Sequence, residues 1–143
     1  MDTGPLPTGC SSLPTTTVVI EGTTSGAPRW ERPFADGCPA TSYSAAGSSV
    51  PRTEHFFCND GGAAGVFDFE LSGAIDDSYL IVYDGLGIPA NDFLCLASDD
   101  EGGSDNQAAV RGLAVGAGAR ITVVVTGFGN SDWGSYQLAV TRR

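Results

Sequence analysis

Apolar and polar residues alternate most regularly over residues 66–71. There Phe67, Phe69 and Leu71 share one side and Asp68 and Glu70 the other. A period of two is that of a half-buried strand. Residues 119–126 repeat it, with Ile121, Val123 and Val125 set against Thr122, Val124 and Thr126. Residues 136–141 do so again, with Tyr136, Leu138 and Val140 set against Gln137, Ala139 and Thr141. Residues 79–83 and 93–97 are short continuous apolar runs, expected as strands buried on both faces. Further strands are expected at 18–20, 53–58 and, more weakly, 110–115. Turn signals punctuate these segments: Asn59-Asp60-Gly61-Gly62, Ser72-Gly73, Asp84-Gly85 and the stretch 128–132. No apolar stripe of helical period exceeds two turns, and no internal repeat is present. The pattern predicts an all-β protein: an antiparallel β-sandwich, jelly-roll-like, of eight or nine short strands.

The same reading divides the 143 residues into a Pro/Thr-rich lead-in over 1–16 and a single sandwich domain over 17–143. Within the domain, residues 22–52 are rich in Gly, Ser, Pro and Ala and are expected to be irregular. Arg29-Trp30-Glu31-Arg32 reads as part of a loop that covers the sandwich. Met1 and Asp2 run straight into Thr, Gly and Pro, without a basic stretch followed by an apolar one. The expectation is therefore a mature segment carrying a start methionine.

Composition narrows the function classes. Val and Ile number 16 against 9 Leu, which favours strands. Seventeen acids face seven arginines and no lysine, for a net charge of −10. Scattered arginines cannot form the cationic face that nucleic acid requires. Anionic lipid surfaces are disfavoured for the same reason. No apolar run approaches the length of a transmembrane helix, so no membrane insertion is expected. Without lysine, neither Schiff-base chemistry nor a Lys–Asn isopeptide crosslink is available.

Four cysteines, Cys10, Cys38, Cys58 and Cys95, are an even number in a small, Gly-rich chain. They read as two disulfides formed in an oxidising compartment. Their spacing matches no common zinc motif, and His55 is the only histidine. Of the three possible pairings, the sequence-neighbour choice is Cys10–Cys38 with Cys58–Cys95.

The acids are unevenly placed. Eight of them lie within residues 76–105, with no base among them. Crowded carboxylates repel, and a hard cation such as calcium would relieve the repulsion with oxygen ligands. The expected metal ligands are Asp77, Asp84, Asp99, Asp100 and Asp105, drawn from separate loops, because the local spacing is not that of an EF-hand. The competing reading is a solvated acidic surface. Trp30 and Trp133 are the candidate ligand-binding residues, since indole rings stack on sugars. Signatures of catalysis are poor. There is no G-x-S-x-G elbow, and His55 stands alone inside a probable strand.

A family resemblance rests on four stretches taken in order. They are Tyr79-Leu80-Ile81-Val82-Tyr83-Asp84-Gly85, the acidic run over 96–103, the strand and turn over 121–129, and Gly134-Ser135-Tyr136-Gln137-Leu138-Ala139-Val140. Together they resemble the bacterial pre-peptidase C-terminal (PPC) domain over about residues 53–142. The resemblance implies a jelly-roll-like sandwich in secreted proteins. It also implies a role beside peptidases in secretion, substrate binding or stability, and some relatives bind collagen and calcium. The segment Asp77-Ser78-Tyr79-Leu80-Ile81-Val82-Tyr83-Asp84-Gly85 is also similar to a strand of the CUB domain, another calcium-capable sandwich with two disulfides. No ligand residue carries over from either family, because the 22–52 insertion and Cys10 and Cys38 have no counterpart in the PPC pattern. The expected function is a secreted, non-catalytic binding or adhesion module from a larger bacterial protein, calcium-stabilised, holding an extracellular protein or polysaccharide surface. The alternative is a structural or secretion/assembly domain.

Overall fold

The structure is a computed structural model and describes residues 10–34, 37–103 and 107–143. Ten strands and no helix occur among the described residues. They are β1 (Cys10–Ser12), β2 (Thr17–Thr23), β3 (Arg29–Trp30), β4 (Val50–Cys58), β5 (Gly65–Gly73), β6 (Ser78–Asp84), β7 (Ala97–Asp99), β8 (Ala109–Val115), β9 (Arg120–Gly127) and β10 (Ser135–Arg142). A six-stranded sheet runs β1-β4-β9-β6-β7, with β3 also pairing β4, and a four-stranded sheet runs β2-β10-β5-β8. The two pack as a sandwich. Every pairing is antiparallel except that of β1 with β4.

The alternating strands supply the space between the sheets. Phe67, Phe69 and Leu71 of β5, Ile121, Val123 and Val125 of β9, and Leu138 and Val140 of β10 form one buried cluster. Each such side chain contributes roughly 1.5–3 kcal/mol on leaving water. Leu80 and Val82 of β6 join this core, while Tyr79, Ile81 and Tyr83 of the same strand form a second cluster with Val124 of β9. β6 reads as continuously apolar because both its faces are covered. Tyr136 spans the sandwich: its hydroxyl oxygen lies 2.7 Å from Thr53 Oγ1 and 2.6 Å from His55 Nε2. Its ring takes the room that a side chain at the facing Gly22 would need, since a Cβ there would stand 2.5 Å from the Tyr136 hydroxyl.

Two expectations change. The disulfides join Cys10 to Cys58 and Cys38 to Cys95, not sequence neighbours. Cys10 runs parallel beside the end of β4, opposite Phe56, which puts it within reach of Cys58. The expected strand at 93–97 is displaced to Ala97–Asp99. Residues 93–95 instead leave the sheet, so that Phe93 packs tilted against Tyr43, ring centres 4.7 Å apart, and Cys95 reaches Cys38. Strand β1 lies within the Pro/Thr-rich stretch over 1–16.

Candidate functional site

The irregular region of the sequence forms a cap. Residues 29–34, 37–48 and 86–96 cover the outer side of the six-stranded sheet, where Trp30, Ile88 and Cys95, with Phe128 from the turn after β9, pack on Tyr79, Ile81, Tyr83 and Val124. The Cys38–Cys95 disulfide and the hydrogen bond from Ala40 N to Phe93 O, 2.8 Å, join the two halves. Tyr43 donates from its hydroxyl to Asp92 Oδ1 at 2.9 Å, and Tyr83 donates to the Asp92 carbonyl at 2.7 Å.

Arg32 holds the cap down. Its side chain is fully buried. Nε donates to Gly127 O at 3.1 Å, Nη1 to Pro33 O at 2.9 Å, and Nη2 to Ser44 Oγ at 2.9 Å and Phe128 O at 2.8 Å. The guanidinium carbon lies 4.0 Å from the centre of the Tyr79 ring and 5.4 Å from that of Phe128. Backbone carbonyls and aromatic faces therefore do the work usually left to a carboxylate partner. Burial lowers the Arg32 pKa, and the charges of Tyr79, Asp100 and Asp77 oppose that shift.

Where the cap meets the β6–β7 edge, a cleft of about 460 Å³ opens. Phe34 and Gly37 line it from the cap, Tyr79 and Asp99–Asp100 from the sheet edge, and Phe128 from the turn after β9. Phe34 is 44% exposed, an unusual state for a phenylalanine beside a buried cation. Carboxylates crowd this end of the molecule. Burial pushes Asp77 up to about 6, helped by the charges of Asp132, Asp100 and Glu101 and opposed by Arg32. Asp77 Oδ1 is buried and has no hydrogen-bond partner.

The structure places Asp77, Asp99 and Asp100 at or beside the cleft and Asp84 at the far end of β6, about 23 Å along the strand from Asp77 and about 13 Å from Leu80, the partner of Asp99. Asp99 Oδ2 is already committed to the backbone N–H groups of Gly102 and Ala109, at 2.5 and 2.9 Å. Asp105 lies outside the described residues. The set named from the sequence is corrected here: Asp84 cannot share a coordination sphere with the others. Among the described residues, no three His, Cys, Asp or Glu side chains are placed to hold one metal ion.

Trp30 is half-buried in the cap, donating from Nε1 to Thr126 Oγ1 at 3.2 Å. Trp133 is 46% exposed. It borders a separate hollow of about 270 Å³ with Ser25, Gly26, Ala27, Arg29 and Pro51. The two indoles thus serve different places. His55 is tied to Tyr136 between the sheets, and burial lowers its pKa. No serine hydroxyl is hydrogen-bonded to it among the described residues. Arg32, Phe34, Phe128, Glu101 and Asp132 went unnamed as site residues in the sequence reading. For Arg32 and Phe34 the signal was a cation and an aromatic within the irregular 22–52 region, for Glu101 its place in the acidic run of 76–105, and for Phe128 and Asp132 only the turn signal over 128–132.

The comparisons agree with this geometry at the level of fold. No family model matches the sequence, and neither does any curated protein. Among solved structures, the pre-peptidase C-terminal domain of a collagenase from Bacillus anthracis superposes with a TM-score of 0.53 at 12% identity. The match covers 96% of this chain and 100% of that one. PliG, a periplasmic inhibitor of g-type lysozyme from Aeromonas hydrophila, gives 0.48 at 10% identity, over 94% and 98% of the two chains. The chain therefore has a PPC-like β-sandwich fold, as the order of its motifs implied.

Proposed function

We propose that this chain is a non-catalytic binding module of an extracytoplasmic protein. In this reading the cleft between cap and sheet edge is its recognition surface for an extracellular protein or polysaccharide. The observation that carries the proposal is the cleft itself. A buried arginine and a disulfide hold the cap rigid, and the cap presents Phe34 beside Asp99 and Asp100 at a concave place. Rigid apolar surface with a few fixed polar groups is what a ligand site requires. Two disulfides, with no free cysteine, support an oxidising compartment. The non-catalytic part is supported by the His55 environment, where the imidazole is committed to the Tyr136 hydroxyl between the sheets and not to the cleft. The proposal does not depend on calcium, since among the described residues no three carboxylates are placed to hold one ion.

The test is binding of the labelled chain to arrays of polysaccharides and extracellular matrix proteins, followed by titration of any hit. Phe34→Ala and Asp100→Asn should each weaken a genuine hit at least tenfold while leaving the melting temperature in place. Hits unaffected by either substitution, or none at all, would sink the cleft as the recognition surface.

A further inference from the structure

The sandwich has four sheet edges, and three of them are blunted. On the six-stranded sheet, β7 is only three residues long, and the side chain of its terminal Asp99 takes the Ala109 N–H of β8. The opposite edge is broken into β1 and β3, of three and two residues. On the four-stranded sheet, β8 is bulged against β5 between Phe67 and Phe69, with Gly112 at φ +71° and its N–H bonded to Asp68 Oδ1. Arg111 stands beside that bulge, paired to Glu70. Short length, bulges and charges are the devices that keep open edges from pairing.

β2 is neither short nor bulged, and its one charged residue is Glu21 near its end. It pairs β10 over seven consecutive residues without a register shift, and among the described residues no strand pairs its other side. Its sequence, Thr17-Val18-Val19-Ile20-Glu21-Gly22-Thr23, holds no proline and no basic residue. Val18 and Val19 are 37% and 53% exposed, large values for β-branched residues in the middle of a strand.

We infer that the free edge of β2 pairs antiparallel with β2 of a second copy, making one continuous eight-stranded sheet across a two-fold axis. The strand is self-complementary about Val19. With Val19 opposite Val19 of the second copy, Val18 faces Ile20 on the inner side of the sheet, and Thr17 faces Glu21 on the outer side. Each apolar residue then meets an apolar one, and no like charges stand opposite. Centring the pairing one residue later sets Glu21 against Val19 and Gly22 against Val18, a poorer match. A symmetric edge contact of this kind closes on itself and stops at two copies. Its area is small, so association should be weak and concentration-dependent. Two chains of net charge −10 also repel, so added salt should strengthen the dimer.

Sedimentation or light scattering of the full chain, from low to high micromolar concentration, reads the proposal. The expected result is a mass that doubles with concentration and doubles sooner in high salt. Val19→Lys puts two cations across the axis on an outward, exposed position, and should hold the chain monomeric at an unchanged melting temperature. Val19→Cys should crosslink to itself under mild oxidation. Glu21→Cys should not, since its two copies would lie about 14 Å apart along the strands. A monomer at every concentration would overturn the inference, as would a Val19→Lys chain that dimerises like the parent. Crosslinking through Glu21→Cys in preference to Val19→Cys would overturn the register.

Discussion

The outward sides of the two sheets differ sharply. On the six-stranded sheet, Tyr79, Ile81, Tyr83 and Val124 point away from the central core and are nonetheless buried, because the cap lies on them. On the four-stranded sheet, the outward rows are Thr23 with Ser135, then Glu21, Gln137 and Ser72, then Val19, Ala139 and Glu70. Those side chains are small or polar except Val19 at the edge, and nothing among the described residues packs over them. A shallow trough of about 630 Å³ runs between the first two rows. The comparison locates the informative chemistry. An apolar outward face obliges the chain to spend some thirty residues, a disulfide and a buried arginine on covering it, and the rim of that cover is where a cleft forms. A mostly polar face needs no cover, and the trough it carries is open and lacks the aromatic wall and cap that bound the cleft.

The comparison breaks if the cap is not held as described. Arg32→Ala should be the most damaging single change. It opens a cavity and strands the carbonyls of Gly127, Pro33 and Phe128, at a cost of about 4 kcal/mol in urea unfolding. A loss under about 1 kcal/mol would mean the guanidinium is not the anchor. Replacing Cys38 and Cys95 together with serine should cost up to about 4 kcal/mol, since the bond closes a loop of 57 residues in sequence. Amide exchange should then rise in residues 29–48 and 86–96 while β5 and β10 stay protected. Equal deprotection of both sheets would show that cap and sandwich unfold as one.

Asp77 offers a smaller and signed effect. Its carboxyl titrates near 6 in the folded chain, above its ordinary value of 3.8, chiefly through burial and the neighbouring acids. The folded state therefore holds the proton more tightly. The stabilisation is complete below the ordinary carboxylate range and is lost as pH rises through about 6. Asp77→Asn should raise stability at pH 7 by roughly 1 kcal/mol after allowance for solvent screening, and should flatten the melting profile between pH 4 and 7. His55 acts in the opposite direction, because burial lowers its pKa and stability falls as it is protonated on acidification. A profile unchanged by Asp77→Asn would refute the assignment. Smallest of all, Gln137→Lys on the bare face should shift stability by less than about 0.5 kcal/mol, as an exposed substitution without special partners does. A larger loss would mean that this face is covered after all.

Much of the frame was legible before any coordinates. β5, β9 and β10 stand where period-two alternation set them, because one face of each meets a core and the other meets something more polar or a cap. The doubly covered β6 was legible as an unbroken apolar run. The order of the motifs carried the PPC-like fold even though no family model matches the sequence. The site was less legible. Clustering of acids along the chain put Asp84 beside Asp77, but an extended strand separates its ends instead of joining them. Asp132, remote in sequence, proved to be the first of the neighbouring charges acting on Asp77, because the turn before β10 folds back over β6.

Local periodicity decided which residues become strands and which face of each is apolar, since that information repeats every second residue and needs no distant partner. The even cysteine count and the missing lysine decided which crosslinks are available. Only the tertiary structure decided how those elements meet. The pairing of Cys10 with Cys58 and of Cys38 with Cys95, the burial of Arg32 against carbonyls and rings, and the openness of β2 all depend on contacts between segments dozens of residues apart. Such contacts are chosen by the packing of two whole sheets and a cap, and no short stretch of sequence records that choice.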